Sequence, residues 1–192
     1  MKILQLPPGT ISGISRNPDN NAMNGPAELY TLLESLNIGF QYLEHPPAPT
    51  VDEAMKYWSG IESGHCKNIF LRNHKGDRHC LVILYYNSQL KIHDLEHSLK
   101  QGKLSFASDK RLMNYLGLTP GSVSPFGLIN DTTHHVHLFI DKNLLSHKRL
   151  SFHPNINTAS LIVKTDDFLR FLEHCGNTYE FIDLCSEKES DC

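Results

Sequence analysis

Lys67 follows Gly64-His65-Cys66 and precedes Asn68-Ile69-Phe70-Leu71, a run built for burial. A cation at the mouth of such a strand is either a solvated edge residue or a point charge that holds a phosphate. Spacing alone does not choose between them. Cys66 becomes a nucleophile only if a nearby ammonium lowers its pKa, but adjacent strand residues point apart. The expected role of Cys66 is therefore that of an ordinary small side chain. Twelve histidines invite a metal, and His134-His135-x-His137 is the densest group. On a strand, His135 and His137 share one face and His134 takes the other, so at most two can meet one ion. No His-Glu-x-x-His, Cys-x-x-Cys, Gly-x-Ser-x-Gly, dinucleotide-type or phosphate-cradling glycine motif is present. The expectation is chemistry without metal or cofactor.

Residues 117–131 offer a different kind of site. Gly117, Gly121, Gly127, Pro120 and Pro125 are packed with Ser122 and Ser124 into a stretch whose only charge is Asp131. Pro120-Gly121 predicts a chain reversal, with proline pre-setting φ and glycine supplying φ > 0. Small residues around such a turn leave backbone N–H and C=O groups open to a ligand. The same composition also suits a rigid structural corner.

The elements that must position these groups follow from periodicity. Leu29, Leu32, Leu33 and Leu36 predict a helix that starts at Pro26 and closes at Gly39. A strand is expected at 40–44, then a proline-broken stretch, then a helix at 51–58 capped by Thr50 and Glu53. Strands at 68–71 and 79–86 are joined through Lys75-Gly76-Asp77, and a short strand is expected at 89–93. Asp94 and Ser108 cap two further helices, the second ending at Gly117. Strands at 135–140, 159–164 and 179–184 flank a last helix that starts at Thr165 and stops at Gly176. This irregular interleaving argues for a mixed α/β (α+β) single domain, a curled mixed sheet or barrel with flanking helices. Residues 1–25 read as an extension of little structural weight, 26–185 as the domain and 186–192 as an acidic tail.

A net charge of −3 argues against a broad grip on duplex nucleic acid, although the middle of the chain is basic. Five cysteines in no paired spacing fit a reducing compartment. No run is long enough for a signal peptide or a membrane span, so a soluble, cytoplasmic protein is expected.

Several segments combine in order: Leu29-x-x-Leu32-Leu33, His45-Pro46-x-x-x-Thr50-Val51-x-x-Ala54, Lys67-Asn68-Ile69-Phe70-Leu71 and Phe106-Ala107-Ser108. They continue with Leu116-Gly117-x-x-Pro120-Gly121-Ser122-Val123-x-Pro125-Phe126-Gly127-Leu128 and Phe152-His153-Pro154-x-x-Asn157-Thr158. Together they resemble the YbaK/prolyl-tRNA synthetase-associated editing domain family. Within it they are most like the free-standing ProX/PrdX-type alanyl-tRNA(Pro) deacylases.

The resemblance implies a closed or nearly closed mixed barrel that hydrolyses a wrong amino acid from the 3′ end of tRNA(Pro), most of all alanine. It implies neither metal nor covalent intermediate. Carried over by position, Lys67, Asn68, Gly121, Ser122 and His153 are the expected catalytic set, and His45, Thr50, Pro120, Pro125, Phe126 and Gly127 are expected to contact the substrate. The tRNA acceptor end is the implied partner, with prolyl-tRNA synthetase a candidate second one and no membrane. Two alternatives stand beside this: a deacylase for cysteinyl or seryl esters, and a non-catalytic RNA-binding or regulatory module on the same fold.

Overall fold

The computed structural model describes residues 3–4, 23–48, 53, 57, 60–88, 92–99 and 102–183. Within them run β1 (Ile3–Leu4), α1 (Ala27–Ser35), β2 (Phe40–Glu44), β3 (Gly64–Asn73), β4 (His79–Tyr85), α2 (Ile92–Leu99) and β5 (Leu104–Phe106). They are followed by α3 (Asp109–Leu116), β6 (Val136–Asp141), β7 (Arg149–Phe152), β8 (Ala159–Lys164), α4 (Thr165–Cys175) and β9 (Tyr179–Ile182).

One nine-stranded mixed sheet carries the fold, in the order β1-β2-β8-β7-β3-β4-β6-β9, with β5 also paired to β3. No pairing joins β1 to β9 among the described residues, so of the expected forms the curled open sheet is the one observed. β4, β6 and β9 are mutually parallel, and β3 pairs β4 antiparallel along its length.

The other flank of β3 is split. Gly64 and His65 pair in parallel with Leu150 and Ser151 of β7, whereas Leu71 to Asn73 pair with β5. Between these contacts, residues 66–69 have a strand neighbour only on the β4 side among the described residues. Lys67 and Asn68 occupy that gap.

Alternation along each strand divides the burial. Cys66, Phe70, Leu81, Ile83, Leu138, Ile140, Phe152 and Leu161 face the main core, with Leu29 and Leu33 of α1, Leu112 and Leu116 of α3, and Phe168, Phe171 and Leu172 of α4. The opposite face is covered by smaller clusters, one around Leu71, Val82, Leu84, Leu95 and Phe139, another around Leu43, Ala48 and Ile162. Each fully buried large apolar side chain contributes about 1.5–3 kcal/mol. The helices therefore stay on the sheet by the stripes their spacing predicted.

Several boundaries differ from expectation. α1 ends at Ser35, not at Gly39, because Asn37 takes φ 53° and lets Ile38 N–H bond Leu33 O at 2.8 Å. Ile92 and His93, expected in a strand, open α2; residues 89–91 lie outside the described set. β5 and β7 were not anticipated, since runs of three and four residues are too short for a period to register. The expected helix at 51–58 and its Thr50 cap fall outside the described residues apart from Glu53 and Tyr57. The amino-terminal extension adds an edge, with Ile3 and Leu4 paired to Leu43 and Tyr42. No helix among the described residues is long and apolar enough to cross a membrane.

Candidate active site

Asn68 lies on the main-core face of β3, two residues from Cys66 and two from Phe70. Its Nδ2 donates to Val123 O at 3.1 Å, tying the gap in the sheet to the glycine loop. A carbonyl only accepts, so the amide orientation is forced and Oδ1 is the other atom. That oxygen is buried and meets no donor. Asn155 repeats the arrangement: its Nδ2 donates to Phe126 O at 3.2 Å and its Oδ1 is also buried without a partner. The β3–β7 register carries the chain after β7 to the level of Asn68, so two amides grip the loop three residues apart.

Asn155 was not singled out from sequence. It falls at one of the unspecified positions between Pro154 and Asn157, and its signal is conformational, φ 62° in a region that asparagine tolerates better than most residues.

The loop itself folds as expected at Thr119-Pro120-Gly121-Ser122. Ser122 N–H bonds Thr119 O at 3.1 Å and Gly121 takes φ 85°, the conformation that required glycine. Gly117 ends α3 with φ 64°. Ser124, fully buried, then caps a 3-10 turn over Pro125–Asn130 by accepting Phe126 N–H at 3.2 Å.

Two of the expected site residues also have structural partners in the loop. The Ser122 hydroxyl donates to Thr119 O at 2.8 Å and accepts Thr119 N–H at 3.3 Å, so it holds the turn together. Phe126 is 0% exposed and packs edge-on against Phe152 and Phe171, which makes it the anchor of the loop. Pro125 and Gly127 are likewise buried, while Pro120 is exposed at the tip.

On the opposite face of β3, Lys67 is half-buried with its Nζ donating to Ser88 O at 2.7 Å. Lys67 and Asn68 are thus neighbours that serve opposite faces of one strand. Cys66 is buried, its thiol pKa pushed up by desolvation, and its S–H donates to Gly64 O at 3.3 Å. Such a thiol is inert.

His153 sits just beyond β7, with its Nδ1 2.9 Å from Ala159 O. That carbonyl demands a donor, so Nδ1 carries the proton and Nε2 keeps a lone pair. Burial, and secondarily the nearby His45 ring, hold the His153 pKa below its ordinary value against the opposing pull of the Ala159 bond. It is a neutral imidazole at neutral pH. His45, buried, lies 5.9 Å away between ring centroids, and its own nitrogens lie 2.8 Å from Pro46 O and 3.1 Å from Ser160 Oγ. His45 therefore shapes the surroundings of His153. Thr50 lies outside the described residues.

The histidine group does not behave as one strand face. His134 takes φ 53° before β6 begins. His135 contacts His79 at 2.9 Å, whereas His137 contacts Thr178 at 2.6 Å and Glu180 at 3.2 Å. Arg111 donates to His79 Nε2 at 2.8 Å, so His79 must be protonated at Nδ1 and donate to His135 Nε2. Among the described residues no three His, Cys, Asp or Glu side chains form a metal-binding group. A cavity of about 310 Å³ beside these histidines, floored by Cys80, Leu104 and Phe139, shares no lining residue with the Asn68 site.

An open mixed sheet, its strand β3 split between β7 and β5 and roofed by a glycine turn that two amides hold in place, frames the site. The chain belongs to the aminoacyl-tRNA editing domain family, whose profile matches residues 45–171. As a member it is an aminoacyl-tRNA deacylase, a hydrolase of translation fidelity. It is 36% identical over 162 residues to the prolyl-tRNA editing protein ProX of Acetoanaerobium sticklandii, covering 84% of this chain and 99% of that one. It is 33% identical over 153 residues to the prolyl-tRNA synthetase associated domain-containing protein 1 of Danio rerio, covering 79% and 83%. Among solved structures, a candidate trans-editing enzyme for prolyl tRNA synthetase superposes with a TM-score of 0.62 at 17% identity, over 85% of this chain and 100% of that one. That likeness concerns the fold alone.

Proposed function

We propose that the protein edits mischarged tRNA(Pro) in trans in the cytoplasm, hydrolysing the ester of Ala-tRNA(Pro). The observation that carries this reading is the gap at residues 66–69 of β3, which have no neighbour on the side away from β4 among the described residues and where Asn68 ties the strand to the glycine loop. An aminoacyl ester is already activated, so polarising its carbonyl with backbone N–H groups and orienting a water suffice without a protein nucleophile. The water oxygen bonds to the carbonyl carbon as its proton passes to a base, the tetrahedral centre collapses, and the ribose oxygen leaves as it takes that proton back. Neutral His153 offers Nε2 as an acceptor for the proton that the water gives up. The orphaned Oδ1 atoms of Asn68 and Asn155 are acceptors suited to the α-ammonium of the amino acid. Lys67 supplies charge for a phosphate of the 3′ end.

Editing answers a physical limit. A synthetase pocket sized for proline cannot reject alanine by size, since each missing methylene is worth only about 1–3 kcal/mol. A smaller second pocket closed by a rigid loop excludes the pyrrolidine ring by overpacking instead. The test is a deacylation panel on tRNA(Pro) charged with Ala, Ser, Cys and Pro. Alanyl esters should be cleaved and prolyl esters spared; similar rates for both would replace the small sieve with a broad deacylase. ProX and the vertebrate relatives are named for prolyl-tRNA editing or the prolyl synthetase, which favours prolyl tRNA as the acceptor and that synthetase as the candidate partner.

A further inference from the structure

We infer that the tip of the β3–β4 hairpin and the start of α3 form a platform for the phosphate backbone of the tRNA acceptor stem, separate from the pocket that holds the ester. The inference rests on the deacylase reading and adds the surface by which the body of the tRNA is gripped. Lys75 and Arg78 project from the hairpin tip. Register places Lys103 beside them, because Leu104 pairs with Asn73. Arg111 donates to Gly76 O at 2.7 Å, which locks the first turn of α3, and with it Lys110, against the same tip. Lys75, Arg78, Lys103 and Lys110 are all exposed, and the acids beside them among the described residues are Asp77, Asp109 and Glu96, whose carboxylate accepts Leu104 N–H at 2.6 Å.

Two features separate this patch from an ordinary solvated surface. Lys110 stands in the first turn of α3, where the helix dipole disfavours a cation. Arg111 beside it has structural partners, but neither Lys110 nor Lys103 makes a hydrogen bond or ion pair among the described residues. Next to them Phe106 is 65% exposed, an aromatic face among cations of the kind that single-stranded nucleic acid uses. The placement also fits. Asn68 and Asn73 are five residues apart on β3, roughly 17 Å, and α3 runs about 12 Å from the platform back to the glycine loop. A few unpaired nucleotides span that distance, so a 3′ end seated at Asn68 brings the first paired phosphates to the cations.

The experiment compares the full chain with its Lys75→Glu/Lys103→Glu/Lys110→Glu variant in two assays. In the first, binding of uncharged tRNA(Pro) is titrated against salt. The variant should bind at least tenfold more weakly, and the slope of log K against log salt should shrink by about 2–3, the loss expected for three phosphate contacts. In the second, kcat and KM are measured on Ala-tRNA(Pro) and on an alanylated CCA trinucleotide. KM should rise on the tRNA alone, with kcat held and the trinucleotide cleaved normally. Unchanged tRNA affinity overturns the platform and leaves the patch to an acidic protein partner, and equal losses on both substrates overturn it in favour of an effect on the pocket. A wild-type protein that binds tRNA through the platform but cleaves neither substrate would refute the deacylase reading and leave the platform standing.

Discussion

Asn68 and Val123, 55 residues apart in sequence, are joined by one hydrogen bond of 3.1 Å from the asparagine amide to the valine carbonyl. The bond crosses from the stretch of β3 that, among the described residues, has a strand neighbour only in β4 to the loop that roofs it. With the Asn155 bond to Phe126 O it fixes how far the loop stands from the strand. The distance between strand and roof is therefore set by polar contacts, which are directional, while the aromatic packing of Phe126 fixes the loop's base.

Asn68→Asp should be more damaging than Asn68→Ala. Alanine removes the donor and leaves Val123 O unsatisfied, a cost of about 1–3 kcal/mol, whereas aspartate sets a second acceptor against that carbonyl. Deacylation should fall at least tenfold in both, with the larger drop in thermal midpoint for aspartate. Full activity in Asn68→Ala would detach the amide from the site.

Lys67→Ala should abolish deacylation and shift the melting temperature by little. Its partner Ser88 O lies at a half-buried position and can turn to water when the ammonium is removed. Paired measurements of turnover and unfolding decide the matter. Equal loss of both assigns the lysine to structure.

Stability should decline as pH falls below about 6.5. Burial is the leading cause that pushes both His65 and His79 down to about 4. His79 is lowered further by His135 and Arg111. The unfolded chain binds protons at these sites between pH 6.5 and 4 while the folded chain does not, so the contribution is complete above 6.5 and lost toward 4. Each site is worth at most on the order of 3 kcal/mol. Urea midpoints from pH 7.5 to 4.5 should fall steadily, and a flat profile would show that the imidazoles protonate without opening the fold.

Gly127→Ala should destabilise by roughly 1–3 kcal/mol through crowding alone. An added Cβ would stand 2.7 Å from Leu118 Cδ1 and 3.0 Å from the backbone oxygen of Leu116, and the backbone atom cannot move aside cheaply. Chemical denaturation of the variant checks this. An unchanged midpoint would mean that the loop shifts freely, contrary to its packing on Phe152 and Phe171.

How much of this was legible depended on whether the deciding contact was local. Thr165 to Gly176 read correctly as a helix because start, apolar stripe and stop lie within one stretch, and the Thr119–Ser122 turn followed from Pro120-Gly121. The split of β3 between β7 and β5 did not, since it is set by pairings across 86 and about 30 residues between runs too short to show a period. Asn155 was missed for the same reason, its place at the site being a matter of register. Ser122 was placed correctly in the loop, but the direction of its hydroxyl depended on Thr119 backbone groups that composition does not reveal.

Ser122 and Gly121 should separate when each is replaced by alanine. Ser122→Ala loses a buried hydroxyl that donates to Thr119 O and accepts from Thr119 N–H, a net cost of about 1 kcal/mol, while the backbone turn keeps its own 3.1 Å bond. The roof then keeps its shape, and activity per folded molecule should stay near wild type despite a lower melting temperature. Gly121→Ala forces an L side chain into φ 85°, so the turn itself must change and with it the direction of the backbone N–H groups proposed to polarise the ester. Deacylation should drop at least tenfold, more than the stability loss explains. Should Ser122→Ala instead lose activity with its stability intact, the hydroxyl touches the substrate after all, and the turn bonds describe only a resting state that opens when the aminoacyl end arrives.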